Sequence, residues 1–304
     1  MARFARYGRR CWLFAALLLA GCSTLQLSYN QADLLLAWRA DSYFDFESAQ
    51  KRDFHQRLDR LLVWHRREQL PEYARFANNA VERARDGVSR EDILWVIDGL
   101  KTHYRTIVDH GINDSAELLA TLSPAQLRVL QKQWAKDNVR FVEENELDTS
   151  IDKRKRARLK RMLGQISDWT GSLSRAQEQQ IEQLIEAIPL FEHLRHQDRL
   201  RRQAEFAELL KLRSQRQEFQ PRLHHWLREW ERGRSAEYER VAAEVQERRI
   251  DFFLALEKLL TPAQREKMEH ELMSQQREHV FQMIKQANEL NVDKEDDQVG
   301  NNAS

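Results

Sequence analysis

Thiols are almost absent from this sequence. Its two cysteines, Cys11 and Cys22, both lie close to the amino terminus. The rest of the chain therefore offers no disulfide, no thiolate nucleophile and no zinc–sulfur site. Glycine and proline are also scarce, at nine and five residues. No run alternates β-branched and aromatic residues as a strand would, so a protein without β-sheet is expected.

Helix-forming residues, in contrast, are abundant and have helical spacing. Charged residues make up 32% of the chain, and Arg, Glu, Gln, Leu and Ala fill long stretches of it. Apolar residues recur at steps of three and four, as in Phe54, Leu58 and Leu61. We predict an all-α protein, an elongated multi-helix bundle of antiparallel amphipathic helices, with breaks or kinks at positions that include Pro71 and Gly111. The predicted helices lie near 25–40, 47–69, 72–86, 89–109, 114–120, 124–147, 151–170, 174–187, 190–213, 216–232, 235–259 and 262–290.

The amino-terminal segment has the parts of a secretory signal. Four arginines and no acid precede an apolar run of ten residues from Cys11 to Ala20. Such a run covers only about half of a membrane span, which disfavours a transmembrane helix. The run ends in Leu19-Ala20-Gly21-Cys22, which resembles the bacterial lipobox. The resemblance implies diacylation of the Cys22 thiol, removal of the signal peptide 1–21, and acylation of the new amino group.

Lipidation predicts where the protein resides. Several acyl chains hold a protein stably at a membrane, so we expect it in the envelope of a Gram-negative bacterium. By analogy with lipoprotein sorting, Ser23 favours the outer membrane, facing the periplasm. Loss of the four signal arginines would leave 45 basic residues against 48 acidic ones, a formal charge near −3. Export and this mixed charge both argue against a nucleic-acid partner.

The remaining chain is long enough for a sizeable core. We predict a helical body over 22–290, as one long domain or as two subdomains meeting near 148–172. The acidic tail 291–304 has almost no apolar residue and is predicted to be disordered.

A short motif recurs where helices are predicted to start. Ser123, Ser174 and Thr261 each follow a leucine and precede a glutamine by three positions, the pattern of a capping box. The four glutamines of the motif, with a weaker copy ending at Gln50, are separated by 76, 51 and 87 residues. This irregular spacing argues against a solenoid. The motifs are either simple helix starts or a sign of a chaperone-like role. The second interpretation rests on a resemblance to the Leu-Thr-x-x-Gln motifs of the Spy and CpxP periplasmic chaperones. That resemblance does not identify any binding residue.

A broader resemblance covers nearly the whole mature chain. It rests on Ser28–Asp33, Trp38, Tyr43–Asp45 and Trp64–Tyr73. These segments resemble a family of proteobacterial lipoproteins known only as a domain of unknown function. The resemblance implies a helical lipoprotein and carries no known activity or site.

A dense basic segment is the main candidate surface. It lies opposite an apolar stripe, with acids between Glu143 and Asp148 just upstream. Those acids could neutralise it on a solvated helix face. Alternatively it binds an anionic partner: lipid A phosphates, phospholipid headgroups or an acidic envelope protein. Its seven cations are Lys153, Arg154, Lys155, Arg156, Arg158, Lys160 and Arg161.

Catalytic patterns are weaker. His65 could act as a general base oriented by Glu68 in a hydrolase of cell wall or lipid, but no nucleophile or oxyanion donor accompanies it. His193 and His196 share a helical face, yet zinc requires three or four ligands. We therefore assign no catalytic, metal or cofactor residue, and favour a non-catalytic envelope interaction protein or chaperone-like protein.

Overall fold

The computed structural model describes residues 32–83, 87–268 and 270. These residues are mostly helical and include no strand, which confirms the all-α prediction. The helices are α1 (Ala32–Phe44), α2 (Ser48–Trp64), α3 (Leu70–Arg83), α4 (Arg90–Ala120), α5 (Pro124–Glu144), α6 (Ile151–Thr170), α7 (Arg175–Glu186), α8 (Glu192–Lys211), α9 (Arg216–Arg228), α10 (Ala236–Leu259) and α11, described over 262–268.

Some predicted features lie outside the described residues. They are the signal peptide 1–21, the lipid anchor Cys22, the tail 291–304 and parts of the first, third and last predicted helices. None of the helices in the described part combines the length and the apolar character that crossing a bilayer requires.

Two buried clusters organise most of the helices. One surrounds Phe219 and Leu223 of α9, where residues of α4, α5 and α8 pack. The other joins α6, α7, α10 and α11 around Ile181 and Phe252. Two residues before Phe252, Ile250 packs instead against α3 and α4 in a smaller cluster. Helix α10 therefore links the carboxy-terminal helices to the rest of the body.

Two predicted helix breaks are wrong. Gly111 lies within α4, which continues from Arg90 to Ala120. Pro71 does not end a helix either, because α2 passes through a π-turn at His65–Gln69 directly into α3. At the end of this turn the Leu70 N–H donates to the His65 carbonyl, five residues back. In a regular α-helix a proline ring collides with the carbonyl four residues before it. Because the π-turn contains one extra residue, the carbonyls just before Pro71 are shifted from their α-helical positions.

The three capping boxes are confirmed. The Ser123 hydroxyl accepts from the Gln126 N–H at 3.3 Å, and the Ser174 hydroxyl accepts from the Gln177 N–H at 3.2 Å. Thr261 accepts from the Gln264 N–H at 3.3 Å. Each side chain satisfies an amide that would otherwise have no partner at a helix start.

Removing any one of these hydroxyls should destabilise the fold. We expect Ser123→Ala, Ser174→Ala and Thr261→Ala each to lower the free energy of unfolding by about 1 kcal/mol. Urea unfolding of the single variants measures the effect. The exposed Ser172 makes no side-chain hydrogen bond within the described residues, so Ser172→Ala is the control. Unchanged stability in all three cap variants would contradict the assignment.

The motif glutamines also pair with one another across the fold. The Gln126 Nε2 donates to Gln50 Oε1 at 2.7 Å and to the Asp45 carbonyl at 3.2 Å. In return, Gln50 Nε2 donates to Gln126 Oε1 at 3.3 Å and to the Thr121 carbonyl at 3.0 Å. The accepting carbonyl lies five residues before the partner glutamine in both directions. This reciprocal amide pair ties the start of α2 to the start of α5.

The second pair repeats this geometry at the other end of the chain. Gln177 donates to Gln264 Oε1 at 2.7 Å and to the Leu259 carbonyl at 2.9 Å. Gln264 donates to Gln177 Oε1 at 3.1 Å and to the Ser172 carbonyl at 2.9 Å. The starts of α7 and α11 are thus joined in the same way, so the four motif copies form two equivalent junctions.

Candidate functional site

The predicted basic segment forms the first three turns of α6, which begins at its N-cap Ser150. Two cations of the segment, Arg154 and Arg158, lie on a partly buried side of the helix, and the other five are exposed. Lys153, Arg156 and Lys160 follow one another at steps of three and four and are exposed. Lys155 and Arg161 are exposed as well.

Arg158 does not belong to this exposed surface, which corrects the prediction. It is half-buried, and its guanidinium donates to the carbonyls of Ile185 at 3.2 Å and Pro189 at 3.1 Å. The Ile185 carbonyl lies in the last turn of α7, and the Pro189 carbonyl lies three residues after the end of that helix. Burial lowers the pKa of Arg158 from its usual value. Arg154 is also only partly exposed, and its Nε is buried without a hydrogen-bond partner in the described structure.

The acids upstream of α6 neutralise little of its charge. Lys153 and Glu146 form an ion pair at 3.3 Å. The other four exposed cations have no carboxylate within 4.0 Å in the part of the chain that the structure describes: Lys155, Arg156, Lys160 and Arg161. We call these four together with Lys153 the basic face of α6.

The His65 region is built around the π-turn, and its hydrogen bonds differ from those expected of a catalytic pair. Glu68 accepts from Trp64 Nε1 at 2.8 Å, whereas His65 Nε2 lies 3.2 Å from the Tyr73 hydroxyl. Burial, assisted by the charge of Arg66, lowers the pKa of His65. The π-turn changes which residues share a helical face, so the i, i+3 spacing did not predict the contacts correctly.

The two histidines of α8 have separate environments. His193 Nε2 lies 3.2 Å from Gln197 Nε2, and the His196 ring stacks on Phe141 with centroids 5.6 Å apart. Within 32–83, 87–268 and 270, no group of three or more His, Cys, Asp or Glu side chains is placed to hold a metal ion.

The start of α1 exposes apolar side chains that the sequence analysis did not single out. Leu34 and Trp38 are 61% and 67% exposed, and Leu35 and Leu36 are exposed too. The run of three leucines that begins twelve residues after Cys22 was the signal that could have revealed this surface.

Comparison with known proteins identifies a family but no function. No curated protein and no solved structure matches the chain significantly, and the motif-level likeness to Spy and CpxP is not shown. The model of a family of unknown function, DUF6279, matches residues 42–240, from the end of α1 to the start of α10. This confirms the expected resemblance to an uncharacterised family. Because the match spans more than half of the sequence, the chain belongs to the DUF6279 family of unknown function.

Proposed function

We propose that the protein is a lipoprotein held by Cys22 at the periplasmic face of the outer membrane, where its helical body binds an anionic lipid surface without catalysing a reaction. The observation that carries this proposal is the basic face of α6. Its five exposed cations have one carboxylate partner among the described residues.

Clustered cations on one helix favour an external anion. Lys153, Arg156 and Lys160 are spaced so that like charges repel by a few tenths of a kcal/mol per pair. Near an anionic membrane each Lys or Arg contributes about 1 kcal/mol of attraction. The attraction of Lys153, Arg156 and Lys160, which share one side of the helix, therefore exceeds the repulsion between them.

The apolar start of α1 is consistent with a membrane as the partner. Ala32 lies ten residues after Cys22, and a fully extended chain of that length spans at most about 35 Å. A lipid on Cys22 would therefore keep Leu34 and Trp38 close to the bilayer. Tryptophan is enriched at membrane–water interfaces, where its ring contacts both apolar and polar groups.

The rival functions have less support. For a hydrolase, His65 would need an orienting carboxylate, and Glu68 bonds to Trp64 instead. For a chaperone, the motif glutamines offer no client surface, because Gln126 and Gln264 are 5% and 9% exposed and are used in pairing.

Vesicle co-sedimentation tests the proposal. The mature chain with Cys22→Ser, which lacks the lipid, should bind phosphatidylglycerol vesicles and not phosphatidylcholine vesicles, with affinity falling steeply as salt rises. Reversing three cations of the basic face, Lys153→Glu, Arg156→Glu and Lys160→Glu, should weaken this binding by about a hundredfold or more, from about 1 kcal/mol per cation.

A control variant with the same net charge tests whether binding depends on the basic face of α6 or only on the charge of the whole protein. Arg75, Lys211 and Arg240 are 67–69% exposed on other helices, so Arg75→Glu, Lys211→Glu and Arg240→Glu change the net charge equally. This triple variant should bind nearly as the parent does. Equal binding to both vesicle types, no binding to either, or equal loss in the two triple variants would each contradict the proposal.

A further inference from the structure

A cleft of about 490 Å³ opens between α1, α5, α8, α9 and the start of α10. It is independent of the basic face of α6. Four arginines line it, three from α8 and one from the segment before α10: Arg195, Arg199, Arg202 and Arg234. We call it the arginine–aromatic cleft, because the rest of its wall is mostly aromatic. A larger neighbouring depression of about 970 Å³ is lined by Glu205, Glu208 and Glu229 as well as arginines, so it does not select one sign of charge.

Arg234 is more deeply placed than Arg199. Its side chain is 7% exposed and lies 4.6 Å from the ring centroids of both Trp230 and Tyr238. The carboxylates around it, from Asp198, Glu231 and Glu239, stay 3.5 to 3.9 Å away. Its Nε is buried without a hydrogen-bond partner within the described chain. A buried guanidinium normally has close, hydrogen-bonded anions, so this one has capacity for another.

The α8 arginines of the cleft have fewer carboxylates nearby than Arg234 has. Arg202 stacks on Trp226 at 3.9 Å and donates to the Trp230 carbonyl at 3.0 Å, which is a neutral acceptor. Arg199 donates to the Asn138 amide oxygen at 2.8 Å. Arg195 has no carboxylate within 4.0 Å among the described residues.

The two aspartates near the cleft are already engaged by other groups. Asp198 accepts two bonds from Arg201, at 2.6 and 2.9 Å. Asp137, 6% exposed, accepts one hydrogen bond from the Tyr43 hydroxyl and another from Gln133 Nε2 at 3.2 Å, and it lies 3.9 Å from Arg199. The cleft therefore keeps a surplus of positive charge.

The apolar part of the wall limits the kind of anion. Trp134, Phe206, Leu130 and Phe44 border the same space as the arginines. A site of this volume fits a small organic molecule, and such sites combine apolar walls with a few charged groups that fix orientation. Bidentate guanidinium contacts suit carboxylate and phosphate groups alike.

We propose that the arginine–aromatic cleft binds an organic anion, with a single carboxylate or phosphate held by Arg234, Arg199 and Arg202 and an apolar body packed against the aromatic wall. The site requires no catalysis and does not depend on the membrane contact of α6. A carboxylate would point to a peptide or fatty-acid source, and a phosphate to a lipid or sugar source.

Calorimetry on the mature lipoprotein in neutral nanodiscs, corrected with empty nanodiscs, tests this site. The probes are 4-butylbenzoate, 4-butylphenyl phosphate, the neutral 4-butylbenzamide and inorganic phosphate. We expect at least one aromatic anion to bind, and the amide and inorganic phosphate each to bind at least tenfold more weakly. The aromatic anion that binds more tightly shows whether the natural ligand carries a carboxylate or a phosphate.

Variants locate the site. Arg234→Gln and Arg199→Gln should each weaken binding of the preferred anion tenfold or more, and the less buried Arg199 keeps the test valid if Arg234→Gln fails to fold. The exposed Arg240 lies outside the cleft, so Arg240→Gln should bind like the parent. No binding by either aromatic anion, equal binding by the amide, equal binding by inorganic phosphate, or an unchanged affinity in Arg199→Gln would overturn the proposal.

Discussion

Gln126→Ala should lower the free energy of unfolding by about 3 kcal/mol, well beyond the loss of an ordinary surface hydrogen bond. The Gln126 side chain accepts from the Ser123 N–H at 2.9 Å, exchanges hydrogen bonds with Gln50, and donates to the Asp45 carbonyl. Each such bond contributes about 1 kcal/mol, and a buried partner left unsatisfied costs more. Gln126 is 5% exposed, so water does not readily replace these contacts.

The two glutamine junctions also permit an internal control. Urea unfolding of Gln126→Ala, Gln50→Ala and the double variant should show coupling, and so should Gln264 with Gln177, because residues that share hydrogen bonds are non-additive. The crossed pair Gln126 and Gln177 belongs to different junctions and should be additive. The exposed Gln179, without a described side-chain hydrogen bond, should tolerate alanine. Additive effects within a pair would contradict reciprocal pairing.

Sequence reasoning found these motifs but not their partnership. A capping box is local: a hydroxyl and a glutamine three residues apart suffice to predict it, and all three cap assignments are confirmed. The pairing joins residues separated by 76 and 87 positions. Local spacing does not predict which two helix starts lie together, so the pairing could be identified only from the three-dimensional structure.

The basic segment shows the same limit. Seven cations were predicted on one surface, yet Arg158 turns inward to the carbonyls of Ile185 and Pro189. Its apolar stem and many donors make such a position favourable. Helical periodicity alone did not separate Arg158 from its exposed neighbours, because its partners are backbone carbonyls at and just after the end of another helix.

The arginine–aromatic cleft was missed, although part of its signal lies in the sequence. Arg195, Arg199 and Arg202 follow at steps of four and three, which places them on one face of α8. Charged residues are so frequent in this chain that such a row did not stand out. Trp226 and Trp230 come from α9 and the segment after it, and Trp134 comes from α5. Only the packing of these segments against α8 brings the tryptophans and the arginines together.

The proposed function depends most directly on lipid attachment at Cys22. Removing the Cys22 thiol should therefore abolish lipidation completely. Cys22 is the cysteine of the lipobox-like sequence, and without its thiol no diacylglycerol can be attached. Cys11 lies within the predicted signal peptide, so Cys11→Ala is the matched control and should behave like the parent.

The decisive measurement is labelling with radioactive palmitate, followed by envelope fractionation and mass determination of the processed chain. The parent and Cys11→Ala should carry label, begin at Cys22 and sediment with the outer membrane. Cys22→Ala should carry no label and should not be cleaved before residue 22. A Cys22→Ala chain that is still processed at that site and remains membrane-bound, or a parent chain that takes up no label, would contradict the account.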